Sequence, residues 1–257
     1  MKEVLVFDIT GPMAHYRKYY TNTSALTYGF PPRTALMGLV AAVLGFERDT
    51  YYEKLDQGRY AVAIKVPARR LVQTVNYVRT KKEDLSRLRR LERVPGTQTP
   101  VEFLLPAAGF SALRFRVFFA HPDAELVLSA AAFLREGRSC YPLYLGLTEC
   151  IASATFINLF GLREIEEVPA GKTTSLTSVL NAAHLREAVL AGETGDGHRM
   201  IRERAPYAFD AGRKLRPPVS IIYEAQTRPF RVRLNVPAWR FPLPSGTGEE
   251  TVAFLEG

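Results

Sequence analysis

The sequence predicts an α+β fold: a ferredoxin-like domain of the split βαβ kind, interrupted by a basic arm and followed by a smaller β-rich part. Three observations carry this. Apolar runs succeed one another as strand, helix, strand, strand, helix, strand once one polar excursion is set aside. That excursion, "RTKKEDLSRLRRLERVPGTQTP" over residues 79–100, is charged and closes on Pro-Gly. At 257 residues and 47% hydrophobic, the chain can fill one large domain or two small ones. The expected division is a domain over 1–160, carrying the insertion at about 79–100, and a helix-plus-hairpin region over 161–257.

"KEVLVFDIT" is β-rich and partly alternating, and Gly11-Pro12 stops it. "PPRTALMGLVAAVLG" starts on prolines, which the first turn of a helix tolerates, and ends on a glycine. A short helix, "DTYYEKL", follows. "RYAVAIKV" alternates as a strand, and "RRLVQTVNYV" reads as a second one. Beyond the excursion, "VEFLLP" and "ALRFRVFFAH" are strands. "DAELVLSAAAFLREG" is an amphipathic helix with Asp123 at its N-cap and Gly137 at its stop. "ASATFINLF" is the next strand. "SVLNAAHLREAVLAG" (178–192) has a helical pattern, and "VSIIYEAQ" with "FRVRLNVPAW" reads as a terminal hairpin.

The charge is unevenly placed. The chain carries a net charge of +8, and between Lys65 and Arg93 ten basic residues face three acidic ones. A solvated helix face usually alternates sign, whereas this stretch favours a polyanion. No apolar run has the length of a membrane span, and the N-terminus lacks a cleavage-site pattern, so the expected location is cytoplasmic, without membrane partners. Cys140 and Cys150 match no zinc spacing and read as two buried free thiols. Glu193, Asp196 and His198 in "GETGDGHR" match no metal-ligand spacing either. No metal and no cofactor is expected. Walker A, Gly-x-Ser-x-Gly and dinucleotide fingerprints are absent from the sequence.

Three features point to nucleic acid. In "HYRKYYTNTSALTY", Arg17 and Lys18 suit phosphates, while Tyr16, Tyr19, Tyr20 and Tyr28 offer ring faces. Thr21, Asn22, Thr23 and Ser24 offer hydrogen bonds, and His15 adds a ring that stacks or hydrogen-bonds. Arg33 and Thr34 stand at a helix N-terminus, where free N–H groups favour an anion. The excursion, with Arg79, Lys81, Lys82, Arg87, Arg89 and Arg90, can follow a phosphate backbone. Taken alone, such features also have plain structural readings: a tyrosine-rich loop can be a packed Ω-loop, and a basic arm can be merely solvated.

"FDITGPMAHYRKYYTNTSALTY", "PPRTALMGLVAAVLGFERDTYYEKL", "TQTPVEFLLP", "RFRVFFAH" and "RSCYPLYLGLTEC" occur in this order over the first 150 residues. Together they resemble the Cas-five family of CRISPR effector subunits, in its type I-B-like branch. The later half is matched only by length and hydrophobic pattern. The resemblance implies a RAMP (RRM-like) palm with an inserted thumb, and a subunit of Cascade that grips the 5′ handle of crRNA. It implies contacts with the Cas-seven backbone subunit, the Cas-eight large subunit and, in the assembled complex, target DNA. The thumb would fold over the guide and interrupt the guide–target duplex.

One branch of the family, in type I-C systems, is itself a pre-crRNA endoribonuclease with a tyrosine, lysine and histidine set. Here His121 follows Ala120 rather than a lysine, and the I-B-like branch leaves processing to a separate enzyme. No catalytic residue is therefore expected. The alternative is a metal-independent endoribonuclease acting on repeat RNA, with His15 as general base and Lys18 steadying the charge. A third reading is a cap held mainly by protein contacts.

Overall fold

The computed structural model of the chain describes residues 2–21, 24–79, 81–188, 197–243 and 248–257. From the N-terminus run β1 (Glu3–Gly11), α1 (Arg33–Leu44), α2 (Tyr52–Asp56), β2 (Arg59–Ile64), β3 (Ala68–Val78), α3 (Lys82–Arg89), β4 (Gly96–Pro106), β5 (Leu113–Ala120), α4 (Ala124–Arg135) and β6 (Ser153–Gly161). Then come β7 (Glu166–Val168), β8 (Thr173–Leu176), β9 (Leu180–Asn181), β10 (Leu185–Ala188), β11 (Met200–Ala205), β12 (Val219–Glu224), β13 (Phe230–Leu234), β14 (Ala238–Pro242) and β15 (Glu249–Val252). This is a mixed α/β structure made mostly of strands.

Alternation along β1 separates two cores, because successive side chains of a strand point to opposite faces. Leu5, Phe7 and Ile9 join one core, and Val4 and Val6 join the other. β1 pairs antiparallel with β5 and β6, and β5 with β2, in the order β2-β5-β1-β6. On the first face, Leu36 and Val40 of α1 and Val127 and Ala131 of α4 pack against β1 and β5 residues. α1 starts after Pro32 and ends where Gly45 takes the left-handed conformation (φ 80°). α4 starts where the Asp123 carboxylate accepts the Glu125 N–H at 3.2 Å.

The second face is covered too. Phe118 and Phe160 meet Phe241, Val252 and Phe254, with 4.8 Å between the Phe118 and Phe241 ring centroids. The sheet β15-β14-β7 supplies Phe241 and Val252 to this cover. Between these two sheets lies a buried ionic cluster. Asp8 and Arg116 are register partners, joined at 2.7 and 3.1 Å. Arg116 also donates to Glu250 at 2.8 Å, and Lys65 reaches the same Glu250 oxygen at 2.5 Å.

β3 and β4 form a separate two-stranded ribbon, in register from Ala68↔Pro106 to Val78↔Gly96. Eleven residues per strand at about 3.3 Å each give an arm about 35 Å long. α3 sits near its tip. β4 extends to Gly96, further back than the expected start at Val101.

Residues after 161 do not follow the expected pattern throughout. Over 178–188, where a helix was expected, the chain forms β9, a 3₁₀ turn and β10; residues 189–192 lie outside the described residues. Tertiary pairing overrides the helical pattern here. Leu180 and Asn181 pair with β12, and the Asn181 side chain donates to the Leu255 carbonyl at 3.1 Å. The two expected hairpin strands exist but do not pair with each other. β12 lies between β11 and β9, and β13 between β10 and β8. The Glu224 carboxylate accepts the N–H groups of Gln226 and Arg228 at 2.8 and 2.7 Å, which fixes the turn that sends β13 to another sheet. Cys150 is buried as expected, but Cys140 is exposed, in the loop that follows α4.

The 141–146 loop packs on the segment after β1. Gly146 has φ +95°, and a Cβ there would overlap the His15 carbonyl oxygen. Gly146→Ala is expected to cost about 2 kcal/mol of stability in urea unfolding. An unchanged midpoint would show that this contact is absent.

Candidate nucleic-acid interface

The segment between β1 and α1 is itself a small hairpin. Arg17 bridges Thr27, Lys18 N–H donates to the Leu26 carbonyl at 2.8 Å, and Tyr28 N–H to the Tyr16 carbonyl at 2.9 Å. It lies along β4, where Ala14 bridges Leu104 and Ala25 bridges Val101. It therefore acts as a brace at the root of the arm.

This placement divides the residues read from the sequence as an RNA grip. His15 is 2% exposed, and its Nδ1–H donates to the Glu102 carbonyl at 2.7 Å. Burial lowers its pKa, against the opposing pull of that carbonyl. Tyr16 is buried edge-on to Phe115, and burial pushes its hydroxyl well up. Lys18 is buried, with Nζ 2.9 Å from Glu203 and 5.6 Å from the Tyr28 ring centroid. Of the pair named for endoribonuclease chemistry, His15 Nδ1 and Lys18 Nζ are thus each engaged inside the protein. Arg17, Tyr19 and Tyr20 are exposed at the tip, with the two rings edge to face at 5.1 Å. Asn22, and Thr23 beside it, lie outside the described residues.

Arg33 is also interior, at 2% exposure. Its guanidinium pairs with Glu256 and with Asp56 (2.5 Å), donates to the carbonyls of Tyr207, Asp56 and Gly58, and stacks on the Tyr207 ring at 4.5 Å. It clamps the C-terminal residues onto α1 rather than presenting a cation at the helix start. Burial raises the Glu256 pKa, against the pull of Arg33. Thr34 lines a cavity beside α1.

On the arm, Arg79 is half-buried and the other named cations are exposed, and their pairing is unequal. Arg79 pairs with Asp84 at 3.2 Å, and Arg87 and Arg90 pair with Glu92 at 3.5 and 3.1 Å. Lys81, Lys82 and Arg89 have no ion pair among the described residues. At the arm's root, Arg70 is held by Glu102 and Glu203, both at 3.2 Å. Glu203 also accepts the Tyr223 hydroxyl at 3.0 Å, so Lys18, Arg70 and Tyr223 converge on one carboxylate from three segments.

Sequence reasoning missed a cleft of about 280 Å³ beside this network, lined by Arg69, Arg70, Arg199, Gly29 and Tyr223. Arg69 and Arg199 are exposed, and neither side chain has an ion pair among the described residues. Their meeting point depends on β3 and the β11 region coming together across 130 residues of chain. Only the basic character of the Lys65–Arg93 stretch was visible beforehand.

The chain matches the family described as "CRISPR-associated protein (Cas_Cas5)" over residues 4–213. It belongs to the CRISPR-associated Cas5 family. No curated protein matches it. Among solved structures, this Cas5-family chain is similar to a CRISPR protein from Archaeoglobus fulgidus, at 14% identity and TM-score 0.56, covering 97% of this chain and 98% of that one. It is also similar to a chain of a CRISPR RNA-guided surveillance complex, at 16% identity and TM-score 0.52, covering 90% and 91%. A chain of a Type III-B Cmr-beta complex bound to cognate target RNA and AMPPnP matches at 10% identity and TM-score 0.50, covering 90% and 86%. These likenesses support the fold.

For a Cas5-family brace of this kind, the two adjacent cations have opposite expected roles. Lys18→Ala should lower stability by about 1–3 kcal/mol, since Glu203 is left buried with fewer partners. Arg17→Ala should stay within about 0.5 kcal/mol of wild type. Thermal unfolding of the two variants checks this, and equal shifts would contradict it.

Proposed function

We propose that this chain is the non-catalytic subunit that binds the 5′ handle of a CRISPR guide RNA and caps that end of an effector complex. The observation that carries the reading is the arm: a ribbon about 35 Å long whose cations Lys81, Lys82 and Arg89 stand in solvent with no ion pair among the described residues, mounted on a Cas5-family body. Isolated two-stranded ribbons are marginal in water, so such an arm gains order from what it grips. The exposed tip of Arg17, Tyr19 and Tyr20 beside β4 adds the stacking and phosphate contacts that hold single-stranded RNA. The sheet order β2-β5-β1-β6 supports the ferredoxin-like palm over about 1–160, and β3–β4 the thumb, with the C-terminal part over 161–257 covering the palm.

The complex we propose is of type I-B-like Cascade and cytoplasmic, with a Cas7 backbone subunit, a Cas8 large subunit and target DNA as the other partners. The similarity to a chain of an RNA-guided surveillance complex supports such an assembly. The test is incubation of the purified chain with labelled repeat-derived RNA in EDTA, read for both shift and cleavage. A shift that prefers the handle over scrambled RNA, with the RNA intact, is expected. A discrete cut, or no preference for the handle, overturns the reading.

A further inference from the structure

One side of α1 from Thr34 to Ala42, the 46–52 turn and the 141–146 loop line a cavity of about 720 Å³. That volume lies within the range of small-molecule sites. No residue of the arm lines it. Its floor is apolar, built from Ala35, Leu39 and Ala42 of α1. Its walls carry Tyr51, Tyr141 and Tyr144, and the last two rings are exposed.

Two backbone features favour a built site. Gly38 occupies the middle of α1, where glycine costs helix stability. A Cβ there would stand 3.3 Å from the Tyr51 hydroxyl, so the glycine leaves room for the tyrosine against the helix. Among the described residues, four non-glycine residues have positive φ, and two of these, Asp49 (66°) and Arg213 (61°), lie on this rim. They face each other at 3.5 Å, and Asp49 accepts the Tyr52 hydroxyl at 2.5 Å. Such conformations persist where the surroundings hold them, often at functional sites.

The rim chemistry selects a class of ligand. Arg48 and Arg213 are balanced by Glu47 and Asp49, so the opening is not a trap for a bare phosphate. Asp49 is engaged by Arg48, Arg213 and Tyr52. The Glu47 carboxylate has no side-chain partner among the described residues, and it can only accept hydrogen bonds. Tyrosine faces beside an acceptor-only group suit a flat ring that carries N–H donors.

We propose that this cavity takes one unstacked nucleobase bearing an exocyclic amino group, with Tyr51, Tyr141 and Tyr144 as ring contacts and Glu47 as the amino acceptor. The proposal rests on the RNA-binding reading above and gives that reading a base-specific contact away from the arm.

Saturation-transfer NMR of the purified chain with CMP, GMP, AMP and UMP tests it. The base protons of the three amino-bearing nucleotides are expected to saturate several-fold more strongly than those of UMP. Tyr144→Ala, and Gly38→Leu as a plug, should each weaken that signal at least fivefold, and Glu47→Ala should remove the preference over UMP. Two variants on different elements keep the test decisive if the plug disturbs α1. Absence of signal for all four nucleotides, equal signal in both variants, or UMP bound as well as CMP overturns the proposal. Loss of subunit assembly in Gly38→Leu without nucleotide binding also overturns it, and assigns the cavity to a partner's side chain. Gel shift with guide RNA on the same preparations separates the two readings. Normal RNA binding with no nucleotide in the cavity rejects this site alone, whereas failure of wild type to bind RNA rejects the handle grip.

Discussion

Arg116→Ala is expected to lower the stability of the chain by about 3–5 kcal/mol, the cost of removing one partner from a buried ion pair. Its guanidinium holds Asp8 through two hydrogen bonds and Glu250 through a third, and all three residues are buried. Among the described residues, alanine leaves Asp8 with no cation and Glu250 with Lys65 alone. Domain stabilities run at about 5–15 kcal/mol, so this one change removes a large fraction. The cluster joins β1 and β5 to β15, so the loss should also loosen the C-terminal sheet from the second face. Arg116→Met combined with Asp8→Leu should recover most of the stability, because an apolar pair removes the unpaired carboxylate. Urea unfolding measures all three proteins. A loss below about 1 kcal/mol for Arg116→Ala would mean that the carboxylates are not held away from water.

The second large effect is on RNA. Lys81, Lys82 and Arg89 are exposed, with no ion pair to lose among the described residues. Replacing all three by alanine should therefore leave the melting temperature nearly unchanged, since Lys82 and Arg89 lie in α3, where alanine suits a helix, and the Lys81 side chain makes no cap hydrogen bond. Each phosphate contact on a single strand contributes about 0.7 to the slope of log affinity against log salt, so the triple variant should flatten that slope by about 2. Affinity at low salt should fall by about 10–100-fold. Replacing Arg79, Arg87 and Arg90 instead should cost less affinity, because Asp84 and Glu92 already balance part of their charge. A salt slope unchanged in the first variant would show that the arm tip does not touch the RNA backbone.

The sequence made α1, α4 and the strands of the four-stranded sheet legible, because each is marked within its own residues. Prolines before Arg33 and the glycine at 45 bound α1, and Asp123 caps α4. Period-2 alternation in β1 already separates the Leu5, Phe7 and Ile9 face from the Val4 and Val6 face. The arm was legible as charge and as a Pro-Gly closure, since polar segments of one sign do not pack into a core.

The brace was not legible in the same way. Tyrosines, arginine and lysine in "HYRKYY" look alike as text, yet Arg17 points to solvent while Lys18 is paired to Glu203, 185 residues away. An aromatic cation-rich loop can be a binding surface or a packed wedge, and the choice depends on which carboxylates arrive beside it. Arg33 shows the same limit. A helix-start arginine reads as an anion site until Asp56 and Glu256 close on it.

After residue 161 the local signals were insufficient, and over 178–188 the helical pattern was overridden by strand pairing. β12 and β13 were visible as strands, while their partners were set by the Glu224-capped turn and by β8 to β11 arriving from elsewhere. Period and capping are properties of a few neighbouring residues, so over the first 160 residues the chain itself states which segments become strands, helices and a charged arm. Which cations stay free to meet a nucleic acid, and which are consumed in holding the body together, follows from long-range pairing of charges in a low-dielectric interior. There an unpaired charge is too costly to leave, and contacts far apart in sequence settle the outcome.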